Sequence, residues 1–514
     1  MIVDIKGNDG EGYTLEVGEC TITLTADSEA GGFWGIQTLR QLFEYEKVPC
    51  CTITDEPDFA YRGFYHDVTR GKVPTLDTLK KLVDDMAYYK LNSLQLYVEH
   101  TYEFKEFADS IERTGYLTAE EIRELDSYCS ENFVELIPSL STFGHLYELL
   151  QKEQYKHLRE LDDYDESKDF MWRGRMMHHT IDPTNPESLE LIKSLLDQFI
   201  PLFSSDKFNI CCDETFDLEN GRHKGMDTGK LYTGFVSKIV EYVRSKGKTV
   251  MMWADILLKH PEQVEKLPEN VVFLNWNYSA EPPEKNAEVF AKLNRTQIMC
   301  PGTTTWNRIC ENVEVETKNI SKMAEYGKKY GAEGILNTNW GDWGNLCSIE
   351  LAMYGMLLGA EKSWNTEAED FDKRADSLLY KSDYGTECLK ELSDIHSKII
   401  WIYFVQHYQN MELGACFDAQ LLSEADVKEV LSRISELVPK LEKSGIEPGI
   451  LEEMLIAAEG IAVMAELFAK AADYDIKRYT DTGKWLGKYS RKWLEKNKPS
   501  ELCEIEKVFR GMER

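Results

Sequence analysis

The sequence lacks the features of several large classes of protein. It contains no run of 18 apolar residues, the length that a membrane-spanning helix requires. Its first residues, MIVDIKGNDGEGYTLEV, show no basic segment followed by an apolar core, as a secretory signal would. Basic residues are outnumbered, because 59 Lys and Arg stand against 90 Asp and Glu for a net charge of −31. This charge argues against nucleic acids and anionic membranes as partners and favours a neutral or cationic ligand.

Motifs for metal, nucleotide or nucleophile chemistry are also missing. The 12 cysteines form no CxxC or Cys/His cluster, and neither HExxH, a Ser/His/Asp-like spacing nor a glycine-rich phosphate loop occurs. Several cysteines lie instead within apolar runs: Cys129, Cys211, Cys212 and Cys300. This pattern predicts buried, reduced thiols in a reducing compartment. We therefore expect no metal, no cofactor and a cytoplasmic location.

The chain is long and apolar enough for two or three domains, with 514 residues of which 42% are hydrophobic. Residues 1–57 combine strand-like alternation in YTLEV and CTITLT with a helical pattern in SEAGGFWGIQTLRQLFEYE. In that helix Ile36, Leu39 and Leu42 share one face, and residues 30–32 are expected to form a flexible entry. This segment predicts a small α/β domain.

Strand-like and helical segments then alternate over residues 58–364. Apolar runs that predict strands occupy 62–68, 92–99, 133–140, 207–214, 249–255, 271–277, 297–302 and 334–340. Two intervening helices have clear starts, with Thr75 as one N-cap and Asn185 followed by Pro186 as the other. Eight such units predict a (β/α)8 TIM barrel, and an open doubly wound sheet is the alternative.

Strand patterns end near residue 365, and residues 365–514 predict an all-α C-terminal domain. Its most apolar stretch, ILEEMLIAAEGIAVMAELF, could serve a homodimer interface. The core of a helix bundle is the simpler use of such a stretch.

Acids and aromatic residues gather at the carboxyl ends of the predicted strands, where a TIM barrel carries its active site. In chain order they are Arg70, Glu99, His145, Asp213, Glu214, Trp253, Trp276, Tyr278, Trp306, Trp340 and Asp342. Tryptophan rings stack on sugar rings, while carboxylates and arginine form paired hydrogen bonds to polar groups such as hydroxyls. The set predicts a carbohydrate site, and its two adjacent acids fit glycoside hydrolysis.

The adjacency of Asp213 and Glu214 constrains the mechanism. Direct inversion needs carboxyl groups roughly 6.5–9.5 Å apart, and direct retention about 5–5.5 Å, on the two sides of the scissile bond. Chain neighbours, about 3.8 Å apart at Cα, are poorly placed to flank that bond. The pair instead favours Glu214 as the acid that protonates the leaving oxygen. Asp213 would hold a neighbouring group of the substrate, and that group would attack.

Five segments in order resemble the family-20 glycoside hydrolases, the β-N-acetylhexosaminidases. They are AGGFWGIQTLRQL, ITDEPDFAYRGFYHDVTR, IPSLSTFGH, FNICCDET and NTNWGDWG, between about residues 30 and 344. The helical C-terminal part resembles a bacterial-type branch of the family. The resemblance implies an exo-acting enzyme that releases terminal β-linked GlcNAc or GalNAc from an oligosaccharide or glycoconjugate. It also implies substrate-assisted retaining catalysis, in which the 2-acetamido oxygen attacks C1.

The resemblance also implies individual roles. Asp213 matches the acid that orients the acetamido N–H, and Glu214 matches the general acid/base. Arg70 matches an arginine that binds O3 and O4, and Asp342 an acid that contacts O4 and O6. His145 matches a supporting histidine near the site.

Aromatic positions match less closely. Trp253, Trp276 and Trp340 match tryptophans that wall the acetamido pocket and the sugar ring. Tyr278 is a candidate by position for the tyrosine that donates to the acetamido oxygen, and Trp306 is a candidate subsite wall.

The sequence departs from the family at three places. Glu99 and His100 stand where many members carry an Asp pair, so the role of Glu99 in the site is open. Asn209 replaces a histidine, and Cys211–Cys212 replaces two glycines. Two other functions remain alternatives: a sugar-binding barrel without catalysis, and a lyase or isomerase that uses the carboxylates around Mg²⁺.

Overall fold

The computed structural model of the protein describes residues 1–45, 47–108, 115–161, 171–175, 177, 179–399, 401–408 and 422–513. The N-terminal part forms a small sheet with one helix on it. The strands are β1 (Ile2–Ile5), β2 (Tyr13–Val17), β3 (Ile22–Ala26) and β4 (Cys51–Asp55), and their order in the sheet is β1-β3-β2-β4. β1 is parallel to β3, whereas β2 is antiparallel to both of its neighbours.

Helix α1 (Glu29–Leu42) covers this sheet and begins at Ser28, whose side chain accepts a hydrogen bond from the Gly31 amide. Leu39 and its neighbours on the predicted face pack against the sheet, as expected. The predicted flexible entry at residues 30–32 is wrong, because these residues lie inside α1. A Cβ on Gly31 would stand 2.7 Å from the Gly12 carbonyl oxygen, so glycine allows the helix to pack closely here.

A closed barrel of eight parallel strands follows, which confirms the TIM barrel and excludes the open sheet. The strands are β5 (Tyr61–Asp67), β6 (Ser93–Val98), β7 (Glu135–Leu140), β8 (Lys207–Asn209), β9 (Thr249–Trp253), β10 (Val272–Trp276), β11 (Gln297–Cys300) and β12 (Gly334–Asn339). The last strand pairs with the first from Gly334 opposite Tyr61 to Asn339 opposite His66. The fourth strand is shorter than the predicted 207–214, so Asp213 and Glu214 lie on a loop.

Helices alternate with these strands. They are α2 (Leu76–Tyr88), α3 (Ala119–Glu131), α4 (Tyr147–Leu150), α5 (Met171–Arg175), α6 (Pro186–Phe199), α7 (Asp217–Asn220), α8 (Thr228–Ser245), α9 (Asp255–Lys259), α10 (Glu284–Lys292), α11 (Val313–Lys329) and α12 (Met353–Trp364). Thr75 caps α2, and Asn185 caps α6 with Pro186 in its first turn, so both predicted starts are confirmed.

Only helices occur among the described residues from Phe371 onward. They are α13 (Phe371–Ala375), α14 (Gly385–His396), α15 (Trp401–Tyr408), α16 (Glu424–Lys443), α17 (Pro448–Ala471), α18 (Thr482–Lys496) and α19 (Leu502–Met512). The apolar helix α17 is buried over most of its length. Packing within this chain therefore accounts for its apolar surface.

The helical region contacts two segments of the barrel region: the loop after β12 and the short helix α5 between β7 and β8. The Trp401 indole donates to the Trp343 carbonyl in the loop after β12. Glu501 at the start of α19 accepts from Trp172 and forms an ion pair with Arg175, both on α5. The predicted boundaries at 57/58 and 364/365 stay predictions. No described helix combines the length and the apolar character that crossing a bilayer requires.

Candidate active site

Nine of the predicted site residues line one pocket of about 180 Å³ at the carboxyl end of the barrel. They are Arg70, Asp213, Glu214, Trp253, Trp276, Tyr278, Trp306, Trp340 and Asp342. The other two, Glu99 and His145, are buried and contact these residues from behind. The sequence therefore predicted the residues that line the pocket. Two of the predicted residues, Glu99 and His145, lie behind the pocket wall and support it.

The loop after β8 carries the two acids in an unusual backbone conformation. Cys211, Cys212 and Glu214 have φ values of 57°, 68° and 49°, in the left-handed region that non-glycine residues rarely adopt. Such residues persist only where the surrounding structure holds them. Cys211 and Cys212 occupy the positions at which the family resemblance implied two glycines, and the observed φ values explain that preference.

Hydrogen bonds that involve neighbouring side chains help to hold this loop. The Cys211 amide donates to the Asn209 side chain at 2.9 Å, and the Tyr232 hydroxyl donates to the Cys212 carbonyl at 2.8 Å. The Glu214 amide donates to Asp255 Oδ2 at 3.0 Å. Asn209, at the position where the resemblance implied a histidine, thus supports the backbone of the segment that carries Asp213 and Glu214.

His145 lies between the two acids. Its Nε2 atom is 3.2 Å from Asp213 Oδ2 and 3.3 Å from Glu214 Oε2. Burial opposes its charge, but the two acids outweigh this effect and raise the pKa of His145 to about 10. Its Nδ1 atom faces Arg70 Nη2 at 3.2 Å, so Nε2 carries a proton toward the acids in either charge state.

Arg70 is a buried cation surrounded by acids. Its guanidinium lies 2.9 Å from Asp342 Oδ1, 3.5 Å from Glu99 Oε1 and 3.6 Å from Asp67 Oδ2. Asp67 also accepts hydrogen bonds from three backbone amides, which makes it a structural part of the turn. The Tyr97 hydroxyl donates to Glu99 at 2.8 Å. Arg70 and Asp342 therefore present one fixed, polar corner of the pocket.

Aromatic rings form the other walls. The Trp276 and Tyr278 rings are stacked with their centroids 5.1 Å apart, and the Trp306 ring lies tilted at 5.0 Å from that of Tyr278. The Trp340 indole donates to the Tyr278 hydroxyl at 2.7 Å, which fixes that hydroxyl at the pocket wall. Trp253 packs against Trp340 at a centroid distance of 5.8 Å.

Two groups of side chains could geometrically hold a cation within the described part of the chain. One is His145, Asp213 and Glu214, and the other is Glu160, Asp182 and His223. In each group a histidine nitrogen already faces a carboxylate oxygen within 3.2 Å, and this contact offsets the negative charge without an ion.

Two residues without a predicted role also belong to the site. Asp255 follows Trp253 by two residues, and Tyr97 lies on β6 two residues before Glu99, which directly follows that strand. The period of two along β6 could have indicated Tyr97. The contact of Asp255 is to a backbone amide, which leaves no mark in the sequence.

Comparison with known proteins identifies the family. The model of the glycosyl hydrolase family 20 catalytic domain matches residues 59–381, and that of domain 2 of the same family matches residues 3–56. The chain belongs to glycosyl hydrolase family 20. This confirms the resemblance found in the sequence motifs.

Individual relatives of this family-20 chain are distant. It is 25% identical to a β-hexosaminidase from Porphyromonas gingivalis, over 57% of this chain and 40% of that protein. It is 22% identical to a lacto-N-biosidase from Bifidobacterium bifidum, over 60% of this chain and 28% of that protein. The chain thus spans less than half the length of these relatives.

A solved structure shares the fold over nearly the whole chain. The crystal structure of a chitobiase from Flavobacterium johnsoniae superposes with a TM-score of 0.60 at 19% identity. The superposition covers 99% of this chain and 88% of that one. The helical C-terminal region is therefore part of the shared architecture.

Proposed function

We propose that this protein is an exo-acting β-N-acetylhexosaminidase that removes terminal, non-reducing β-linked GlcNAc or GalNAc by substrate-assisted retaining catalysis. The observation that carries the proposal is the placement of Asp213 and Glu214 on one loop of an aromatic-walled pocket. A carboxylate oxygen of Asp213, a carboxylate oxygen of Glu214 and a ring nitrogen of His145 all lie within 4.8 Å of one another. This separation is too short for direct inversion, which needs roughly 6.5–9.5 Å.

Direct retention is also disfavoured, because its two carboxyl groups must reach the anomeric carbon from opposite sides. Asp213 and Glu214 come from one turn of loop and share one histidine, so both approach from the same wall. The nucleophile must then come from the substrate itself. The 2-acetamido group of an N-acetylhexosamine supplies one, and this accounts for the pair.

In the first step the acetamido oxygen forms a bond to C1 as the bond from C1 to the leaving oxygen breaks. The leaving oxygen takes that electron pair and the proton of Glu214. Asp213 accepts a hydrogen bond from the acetamido N–H and stabilises the charge that develops in the cyclic intermediate. Water then attacks C1, Glu214 takes its proton, and the ring opens with retained configuration.

The remaining walls fit one terminal sugar. The pocket is smaller than the roughly 300–1,000 Å³ of sites for drug-sized ligands, which favours exo action. Arg70 and Asp342 would bind the hydroxyl groups distant from C1, as a fixed donor and acceptor pair. The Tyr278 hydroxyl would donate to the acetamido oxygen, while Trp253, Trp276 and Trp340 enclose the sugar.

The test is release of p-nitrophenol from the β-GlcNAc and β-GalNAc glycosides, with the plain β-glucoside as control. We expect turnover of the acetamido sugars only, and a loss of about 10²–10⁴-fold in Glu214→Gln, because Glu214 must still act as the base that takes the proton of the attacking water. Asp213→Asn should lose most activity as well. Equal turnover of the glucoside would contradict substrate assistance. EDTA should leave the rates unchanged, since no step uses a metal.

Two further expectations stay predictions from the sequence. Fractionation of the native cells would test the cytoplasmic location. Light scattering of the purified chain would test the homodimer.

A further inference from the structure

Asp255 contacts the amide of the general acid, although no role was assigned to it above. Its Oδ2 atom accepts the hydrogen bond from the Glu214 N–H at 3.0 Å. We propose that Asp255 is a positioning residue that aims the Glu214 carboxyl group at the leaving-group oxygen by fixing the backbone of Glu214. The inference rests on the proposed function, because it assigns Glu214 the role of general acid.

The backbone of Glu214 needs such a restraint. Its φ of 49° lies in the left-handed region, which glutamate does not favour on its own. A change of φ at this residue would rotate its side chain relative to Asp213 and the pocket. A hydrogen bond from the amide to a carboxylate oxygen is stronger than one between neutral groups, so it holds the amide in one orientation.

Asp255 itself stands on a rigid part of the barrel. It is the first residue of α9, directly after β9. The Trp253 amide donates to the Cys211 carbonyl, and the Ala254 amide donates to the Leu274 carbonyl, each at 3.0 Å. These bonds tie the end of β9 to β10 on one side and to the loop after β8 on the other. Asp255, just after the end of β9, thus positions Glu214 on the neighbouring loop. Sites that need precise geometry are best supported in this way by regular elements.

The surroundings of Asp255 suit an acceptor that is not always charged. Burial and the nearby charges of Asp213 and Glu214 raise the pKa of Asp255 to about 7, while Lys259 on α9 acts in the opposite direction. Its Oδ1 atom is shielded from solvent and has no hydrogen-bond partner among the described residues. A proton on Oδ1 would leave Oδ2 free to accept from Glu214 and would avoid a third negative charge beside the pair.

The test compares two substrates that differ only in how much they need a general acid. p-Nitrophenolate leaves readily without a proton, whereas phenolate from phenyl β-GlcNAc depends on protonation. In Asp255→Ala we expect kcat/KM to fall about 10-fold or less with the nitrophenyl glycoside and about 100-fold or more with the phenyl glycoside. Asp255→Asn retains an acceptor oxygen and should restore most of the loss with the phenyl glycoside.

Asp217→Ala is the matched control. Asp217 is also a buried acid, at the start of α7 just after the loop that carries Glu214. Burial raises its pKa to about 6, and it accepts a hydrogen bond from the Thr180 amide at 2.8 Å. It does not contact the Glu214 amide, so its loss should change both rates by the same factor. Asp255→Ser, whose side chain is too short to replace the carboxylate, serves if the alanine variant does not fold.

The outcomes separate the two proposals. Wild-type protein that turns over neither substrate would overturn the proposed function. An active wild type with equal losses on both substrates in Asp255→Ala would overturn the positioning role alone. The same leaving-group dependence in Asp255→Asn as in Asp255→Ala would also overturn it, because the acceptor oxygen would then be irrelevant.

Discussion

Gly144 is the position at which a single methyl group should disturb catalysis most directly. It lies in the loop after β7, next to His145. A Cβ built on Gly144 would stand 2.5 Å from the Asp213 carbonyl oxygen, whereas ordinary contacts begin at 3.4 Å. This oxygen belongs to the backbone, so no side chain can move aside. Gly144→Ala must therefore shift the backbone of one loop or the other.

The expected shift can be estimated from these distances. Relief of the clash requires a displacement of roughly 0.5–0.9 Å, and a misplacement near 1 Å costs about 10²-fold in rate. Overpacking of a buried site also costs about 1–3 kcal/mol of stability. Because Asn209, Tyr232 and Asp255 hold the Asp213 loop by hydrogen bonds, the displacement strains the positions of both acids. We expect kcat on p-nitrophenyl β-GlcNAc to fall about 10–100-fold.

Gly234→Ala provides the control. Gly234 is exposed within α8, and no atom lies within 4 Å of its added Cβ. This variant should keep the wild-type kcat and gain about 0.5–1 kcal/mol of stability from the helix propensity of alanine. Both variants would be assayed for kcat and for urea unfolding. A Gly144→Ala protein with wild-type kcat would refute the claim that the two loops are in rigid contact.

Three other predictions follow from buried groups. Glu501→Ala removes an acidic partner of buried Arg175 and should cost about 3 kcal/mol in urea unfolding, and a loss below about 1 kcal/mol would contradict this. Burial raises the pKa of Glu311 from 4.5 to about 8, so the native state retains a proton that the unfolded chain releases. Stability should therefore fall as pH rises from about 4.5 to 8, and Glu311→Gln should flatten that fall; an unchanged slope would refute the assignment. Iodoacetamide should label the exposed thiols in native protein and spare the buried ones, and mass spectrometry would show modification at Cys20, Cys50 and Cys503.

The barrel could be predicted because its signals are local and repeated. Each strand is a short apolar run followed by an amphipathic helix, and the helix starts at Thr75 and Asn185 use side chains that cap well. The pocket residues could be predicted for a related reason. All parallel strands of a barrel end at one face, so residues at their carboxyl ends converge whatever their separation in the chain.

The end of the fourth strand could not be predicted in the same way. Ile210, Cys211 and Cys212 continue the apolar run of β8, and all three are buried. They nevertheless lie outside the strand, which ends at Asn209. The prediction failed because an apolar run indicates burial and does not specify the backbone conformation. The position of Glu99 was hidden for a similar reason, because only the structure shows that Arg70 stands between it and the pocket.

The cysteines at 211 and 212 show how the chain tolerates a conformation that suits glycine. A left-handed residue other than glycine costs roughly 1–2 kcal/mol. Each thiol is buried and close to a hydroxyl group, Cys211 to Ser139 at 3.3 Å and Cys212 to Thr142 at 3.2 Å. Side-chain burial that glycine lacks thus offsets part of the backbone strain. The strained loop is held from the strand before it, from α8 and from Asp255. The positions of Asp213 and Glu214 therefore depend on contacts that a motif of two adjacent acids does not reveal.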